Sequence, residues 1–500
     1  MNLTTILDMA LAAHPDRAAV GPLRYSTTYL ELNDHAARGG RVLTDLGART
    51  VVFIGINGPA LPTLAFSSAW AGIPLAPLNY RLSDDQLVAL VQRLDRPVVV
   101  ADDSYLPVFA GTDITTLSTG DFTSRLAAVE PLSAPAEVEE DAVAVILFTS
   151  GTTSAPKGVL LTHSNLASYV LQTVDLSSAD ETDAALISTP PYHIAGMGTI
   201  LTNVYAGRRM VHLDDFSPRA WLEQVRTERI SSAMVVPTML TRIVDHLDGE
   251  PARTPELRSL AYGGARMPLP VLERALLAFP DTGFVNAYGL TETSSTISLL
   301  GPDDHRAALA SDDPDLHARL TSVGRPVPSI EVALRNEDGT PAAPGHTGLL
   351  WVRGAQVSGQ YLEQGSVLDS DGWFPTNDRA RLDSGGYLFI EGRADDTIIR
   401  GGENIAPAEV EDAVLTHPHV ADVAVVGLPD DEWGERIVAA VIPATGSAPT
   451  SDDIRSWTRD RVRGSRTPDD VVFVDDFPRT PTGKVIRRHL IADLTTTSLG

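Results

Sequence analysis

Short β-branched runs bounded by Gly, Pro, Asp and Asn recur through about the first 390 residues of this 500-residue chain. TVVFIGIN, PVVVADD, AVAVILFTS, SSAMVVP and TGFVNAYG are nearly continuous in apolar character, as strands covered on both faces must be. Between them lie segments with apolar residues three and four apart, among them TYLELNDHAARGGRVLTDLG and RAWLEQVRTERI, which predict amphipathic helices. The alternation restricts this part of the chain to α/β units around largely buried sheets. One core does not grow to such a length. At roughly 100–200 residues per domain, two to four folding units are expected.

The pattern changes twice. From Leu334 to Ile390 the chain is punctuated by Gly, Asp and Pro around short strands such as EVALRNEDG, TGLLWVRG and GYLFIEG, which reads as a small β-rich subdomain over about 330–390. After Gly392 it resets. DTIIRG is a strand and APAEVEDAVLTHP a helix with Pro407 near its first turn and Pro418 ending it. VADVAVVGLP and ERIVAAVIP form a strand pair around an acidic turn. The helix TSDDIRSWTRDRVRG, the strand DVVFVDD, the loop FPRTPTGK and the helix VIRRHLIADL follow. The expected organisation is a large N-terminal domain of stacked α/β sheets over 1–394, carrying the β-rich subdomain, and a small mobile C-terminal α+β domain over 395–500. The tight join at Arg393–Asp396 reads as a hinge, not a tether.

A net charge of −26, from 39 basic against 65 acidic residues, argues against a nucleic-acid or anionic-membrane surface, though a local basic pocket remains open. The chain has no cysteine, which removes disulfides, thiolate metal sites and an enzyme-bound thioester. MNLTTILDMALAAHPDR lacks a basic leader and reads as an amphipathic helix instead of a signal peptide. No run approaches the roughly 18 apolar residues of a membrane span, and the C-terminus carries no lipidation or peroxisomal signal. A cytoplasmic protein without integral membrane association is expected.

FTSGTTSAPKGVLLTH, from Phe148, follows the apolar run AVAVIL and is too polar to continue it. It is not a Walker loop, since Pro156 precedes Lys157 and Gly158 follows it. It still suits a phosphate chain. Thr149, Ser150, Thr152 and Thr153 supply hydroxyls, Gly151 lets backbone amides approach, and Lys157 adds a mobile charge.

FTSGTTSAPKGV resembles the phosphate loop of the adenylate-forming enzymes: acyl-CoA synthetases, peptide-synthetase adenylation domains and luciferases. Further motifs follow in family order over nearly the whole chain: PPYHIAG (190–196), AYGGARMP (261–268), NAYGLTET (286–293) and VGRPVP (323–328), then GWFPTND (372–378), FIEGRADDTIIRGGENIAPAEVE (389–411) and RTPTGKVIRR (479–488). The resemblance implies a two-step reaction. A carboxylic acid and MgATP give acyl-AMP and pyrophosphate, and a thiol then displaces AMP.

The resemblance also implies residue roles. Gly263, Gly264 and Ala265, with Asn286, Ala287, Tyr288 and Gly289, would hold adenine. Asp378 would accept the ribose hydroxyls, with Arg393 bracing sugar and phosphate. Thr291 and Glu292 would act on the phosphates, Glu292 as a hard oxygen ligand for Mg2+ with Thr152 beside it. Lys484 would be the mobile catalytic lysine, since a carboxylate attacking a phosphate needs an oriented cation. Asp395 occupies the hinge position. His193 either lines or gates the acyl pocket or is a satisfied strand-end histidine, and both readings stand. His417 and His419 read as surface.

IIRGGENIAPAEVE is similar to acyl-CoA synthetases, which points to coenzyme A as acceptor, with Arg400, Gly401, Gly402 and Glu403 placed to meet it. A separate carrier protein is the alternative acceptor. A catalytically silent binding protein and a luciferase-like oxygenase are the more distant readings. Three positions depart from the family pattern: Ser154 for a loop Gly, Asn377 for the Gly before the ribose Asp, and Gln360 within a usual Gly-Tyr pair. Asn tolerates left-handed backbone better than most residues, so Asn377 is a mild change. Ala287 stands where malonate-type enzymes carry Arg, against a short dicarboxylate. Ala195, Gly196 and Gly198 would suit a deep apolar pocket. Fatty and aromatic acids both stay open, with a slight lean to a medium- or long-chain fatty acid, and so does a homodimer.

Overall fold

The apolar runs become buried strands. Thr50–Ile54 is buried at every position and pairs in parallel with Leu75–Pro77 and Pro97–Ala101, since a strand covered on both faces has no polar side to show. The computed structural model describes residues 1–139, 141–149, 156–430, 432–480 and 483–497, and among them four sheets form. One sheet runs from Thr115–Ser118 through Thr50–Ile54 to the hairpin Val143–Thr149/Lys157–Thr162, and ends on Gln360–Tyr361 and Gly365–Ser366. A second carries Ala184–Ile187, Ser232–Val235, Ser259–Gly263 and Gly283–Leu290 in parallel, with Ser295–Leu300 antiparallel to the last.

Helices Tyr29–Asp45, Ala60–Ala71 and Ile194–Ala206 lie between these sheets. Leu32, Leu64, Phe66 and Met197 share one apolar cluster with Phe53 of the first sheet and Ile187 of the second. The first of these helices starts at a capping box. The Thr28 hydroxyl accepts from the Glu31 amide at 3.2 Å, while Glu31 accepts from the Thr28 amide at 2.8 Å. The N-terminal apolar stretch is a helix, Thr4–Ala13, buried through Ile6, Leu7 and Ala10. No helix among the described residues is long and apolar enough to cross a membrane.

Strands between 331 and 393 make a four-stranded antiparallel sheet over Leu350, Val352, Phe374 and Leu388. Beyond it, Val420–Asp430 and Gly434–Pro443 pair as predicted, and two further apolar clusters draw only on residues from Ile398 onward. Two expectations change here. The helix over TSDDIRSWTRDRVRG stops at Arg459, because the chain turns through 464–466 to bring Arg466 onto Glu403 and Glu409. His417 is buried, packed edge-on against Trp457 at 4.9 Å, and only His419 is exposed.

Candidate active site

The parallel strands of the second sheet end together, where open α/β sheets bind ligands. Close approach of two strands explains Gly263: a Cβ there would stand 2.2 Å from the Ala287 carbonyl oxygen. Gly264 is different. Its φ of +84° favours glycine, and an added Cβ would meet only Val236, at 3.8 Å. Behind these glycines lies a narrow cavity lined by Thr189, His193, Ile194, Met234, Val236 and Gly289 among others, enclosing about 30 Å³.

His193 is at a helix start, not a strand end. It caps Ile194–Ala206, its Nδ1 accepting from the Ala195 amide at 3.2 Å. Acceptance at Nδ1 leaves the proton on Nε2, and burial pushes the imidazole down to about 4. His193 Nδ1 is thus satisfied, and the residue lines the cavity described above.

A charged cluster stands on the neighbouring sheet. Asp378 and Arg393 are register partners on adjacent strands, and Arg393 Nη1 donates to Asp378 Oδ1 at 3.1 Å and to the Thr376 carbonyl at 3.0 Å. The Tyr288 hydroxyl donates to the other carboxylate oxygen. Burial and then the Asp378 charge hold that phenol well above its usual range, so it stays a donor. Asn377 carries φ of 59°, the left-handed backbone that the Gly-to-Asn departure requires.

Lys484 belongs to the same cluster. It keeps accessible surface yet stands among protein atoms, as a side chain lining a cleft does. Burial and then Arg393 draw its ammonium below the usual 10.5, against the pull of Asp378 and Asp396. Its neighbour Gly483 abuts Thr238, two residues past the cavity-lining Val236. Arg266 reaches the C-terminal helix, donating to the Ala408 carbonyl at 2.9 Å and pairing with Asp412.

The phosphate-loop residues Ser150, Gly151, Thr152, Thr153 and Ser154 lie outside the described residues. Both shoulders are described. Thr149 and Lys157 are register partners at the hairpin end, and Arg93 Nη1 donates to the Pro156 carbonyl at 2.8 Å. Lys157 Nζ sits 5.5 Å from the centroid of the Tyr361 ring, whose hydroxyl donates to Glu292 Oε1 at 2.8 Å. Thr291–Thr293 is a single 3-10 turn, so the Thr-Glu pair opens no α-helix.

Two family descriptions match: AMP-binding enzyme over residues 7–362, and AMP-binding enzyme C-terminal domain over 409–484. The chain belongs to the AMP-binding enzymes. As a member it is an AMP-forming acid–thiol ligase of the acyl-CoA synthetase kind. It is 34% identical to a feruloyl-CoA synthase of Amycolatopsis sp over 95% of each chain. It is 30% identical to the fatty acid–[acyl-carrier-protein] ligase ScoC of Streptomyces coeruleorubidus, over 93% of this chain and 91% of that one. Its fold matches ATP-bound MatB from Rhodopseudomonas palustris with a TM-score of 0.87, 25% identity and 99% coverage of both chains.

Within this AMP-binding enzyme the residues assigned to coenzyme A have definite local jobs. Gly401 and Gly402, at φ 57° and 81°, are the two-residue turn of a hairpin closed by Arg400 and Glu403. Arg400 is paired with Asp469 at 2.7 Å and lies 4.8 Å from the centroid of the Trp433 ring, while Glu403 is paired with Arg466. Asp395 is exposed in the short turn Ala394–Asp396. Asn286 donates to the Ser322 carbonyl at 3.0 Å and so braces its strand from the side.

The sequence holds one signal that motif reading passed over. Of 39 Lys and Arg residues, lysine accounts for Lys157 and Lys484 alone. The residues also suit magnesium. No cluster of three metal-ligating side chains occurs among the described residues, and Mg2+ on a nucleotide characteristically takes one or two carboxylates plus phosphate and water. Glu292 offers one such oxygen.

Asp378→Asn leaves Arg393 without its counter-charge in a largely buried position. We expect a loss of about 3 kcal/mol in denaturant unfolding, together with weaker ATP binding by calorimetry.

Proposed function

We propose that the protein converts a compact aryl carboxylic acid to its acyl-CoA through an enzyme-bound acyl-AMP, with MgATP as the activating substrate. The observation that carries this reading is the convergence of Lys484, Arg393, Asp378 and Tyr288 beside the cavity at the strand ends. Arg393 and Lys484 supply the cations that two approaching anions require. Asp378 is placed to accept ribose hydroxyls once Tyr288 yields its bond. Neutral His193, protonated at Nε2, supplies a donor rather than a charge at the cavity wall. Magnesium, held by Glu292 and the phosphates, would neutralise charge developing on pyrophosphate.

Ile194, Met234 and Val236 give the cavity an apolar wall against which a flat ring would pack. The similarity to a feruloyl-CoA synthase supports the same choice. The similarity to an acyl-carrier-protein ligase keeps a carrier protein as the second acceptor. AMP release with MgATP should be measured across C2–C18 fatty acids and substituted benzoic and cinnamic acids, with and without CoA. Turnover confined to aryl acids and dependent on CoA is expected. Turnover with C12–C18 acids overturns the substrate class, and adenylate that CoA cannot discharge overturns the acceptor.

A further inference from the structure

A strap of seven residues, 356–362, ties the phosphate hairpin to the turn that carries Glu292. Gln356 is fully buried, and its Nε2 donates to the carbonyls of Thr293 at 3.0 Å and Thr296 at 2.8 Å. The Ser358 amide donates to the Glu292 carbonyl at 2.8 Å, while its hydroxyl donates to the Leu160 carbonyl of the hairpin. Tyr361 pairs with Val159, and the Leu362 amide donates to the Gly158 carbonyl at 2.8 Å. Both backbones are therefore held by one short segment.

The strap also reaches the carboxylate. Tyr361 commits Oε1 of Glu292 through its 2.8 Å bond, and Oε2 accepts no hydrogen bond among the described residues. Coordination geometry turns that difference into selectivity. Magnesium takes single carboxylate oxygens in a near-octahedral shell, whereas calcium accepts both oxygens of one carboxylate in looser geometry. A hydrogen bond that occupies one lone pair of Oε1 and fixes the carboxylate plane biases it toward the first mode.

We propose that Tyr361 is a positioning residue that holds Glu292 as a single-oxygen ligand, and that the strap sets the spacing between this ligand and the phosphate hairpin so that MgATP is bound in preference to CaATP. The inference rests on the reading of Glu292 as the carboxylate that meets the nucleotide's metal. Tyr361 acts through Glu292.

Calorimetric titration of MgATP and CaATP into wild type, Y361F, E292Q and the double variant tests this without turnover. Loss of a bond to a charged acceptor should weaken MgATP binding to Y361F about tenfold, leaving CaATP within about twofold. On the E292Q background, adding Y361F should change neither value, because the tyrosine then has no carboxylate to orient. Equal losses for both metals, or a tenfold loss that persists on E292Q, would overturn the proposal. Y361L removes the same hydroxyl with different packing and must shift the ratio in the same direction. Wild-type protein that fails to bind MgATP would instead overturn the reading of the whole site, an outcome visible before any variant is compared.

Discussion

Replacing Lys484 with alanine lowers acyl-adenylate formation by about 10²–10³-fold or more, while thioesterification of preformed acyl-AMP stays within a few fold of wild type. Lys484 stands beside the Asp378–Arg393 pair, its pKa lowered by burial and then by Arg393, and we propose it as the cation of the adenylation step. Only the first half-reaction brings two anions together, so only that half needs the ammonium. Pyrophosphate exchange measures the first step, and CoA-dependent AMP release from synthetic adenylate measures the second. Equal loss in both would sink the assignment. A pH limb follows with a definite sign. The charged form is the active one, so adenylation fails on the alkaline side below 10.5, the pH at which a free lysine would titrate. The chain's poverty in lysine offers an independent check. An amine-selective reagent can modify Lys157, Lys484 and the N-terminus alone, and MgATP with substrate should protect both side chains.

Acidification from pH 6.5 to 4 destabilises the fold steeply. His163, His193 and His212 are each pushed from 6.5 to about 4 by burial. In that window the unfolded chain binds protons that the folded chain refuses, so stability is full above 6.5 and is lost as pH falls toward 4. Each histidine contributes roughly 1.4 kcal/mol per pH unit as an upper bound. For His163 the cause is visible: Nδ1 accepts from the Leu3 amide at 3.2 Å, and the buried Nε2 has no hydrogen-bond partner among the described residues. Its protonation would set two donors against each other at the N-terminal helix. Thermal midpoints from pH 4 to 7 test the slope, and His212→Gln should reduce proton uptake on unfolding near pH 5 by about one proton. An unchanged uptake would show that His212 titrates normally.

What was legible in the sequence was local. The run TVVFIGIN needs no distant partner to declare a buried strand, and Asn377 points to left-handed backbone because it stands where the resembled family has Gly. The order of motifs carried the family, and the site residues it named near Asp378 do come together. What stayed hidden depends on register between remote segments. Tyr361 and Glu292 are 69 positions apart, and Arg93 meets Glu363 across 270. Nothing beside Tyr361 in the sequence points to its bond with Glu292. His193 was ambiguous because its motif does not say which element follows. The helix beginning at Ile194 decided it by supplying an amide that needed an acceptor. His417 looked exposed beside Pro418 because Trp457, which covers it, lies on another helix.

Arg393 is the last residue of its strand, locked in register with Asp378, and the turn Ala394–Asp396 begins immediately after it. The hinge we propose at Asp395 therefore lies just beyond the pair we propose for the nucleotide. A swing about that hinge would carry Lys484 through a wide arc and break the Arg266–Asp412 pair, yet would barely displace the guanidinium of Arg393. An enzyme hinged there would exchange its tools without putting down the workpiece.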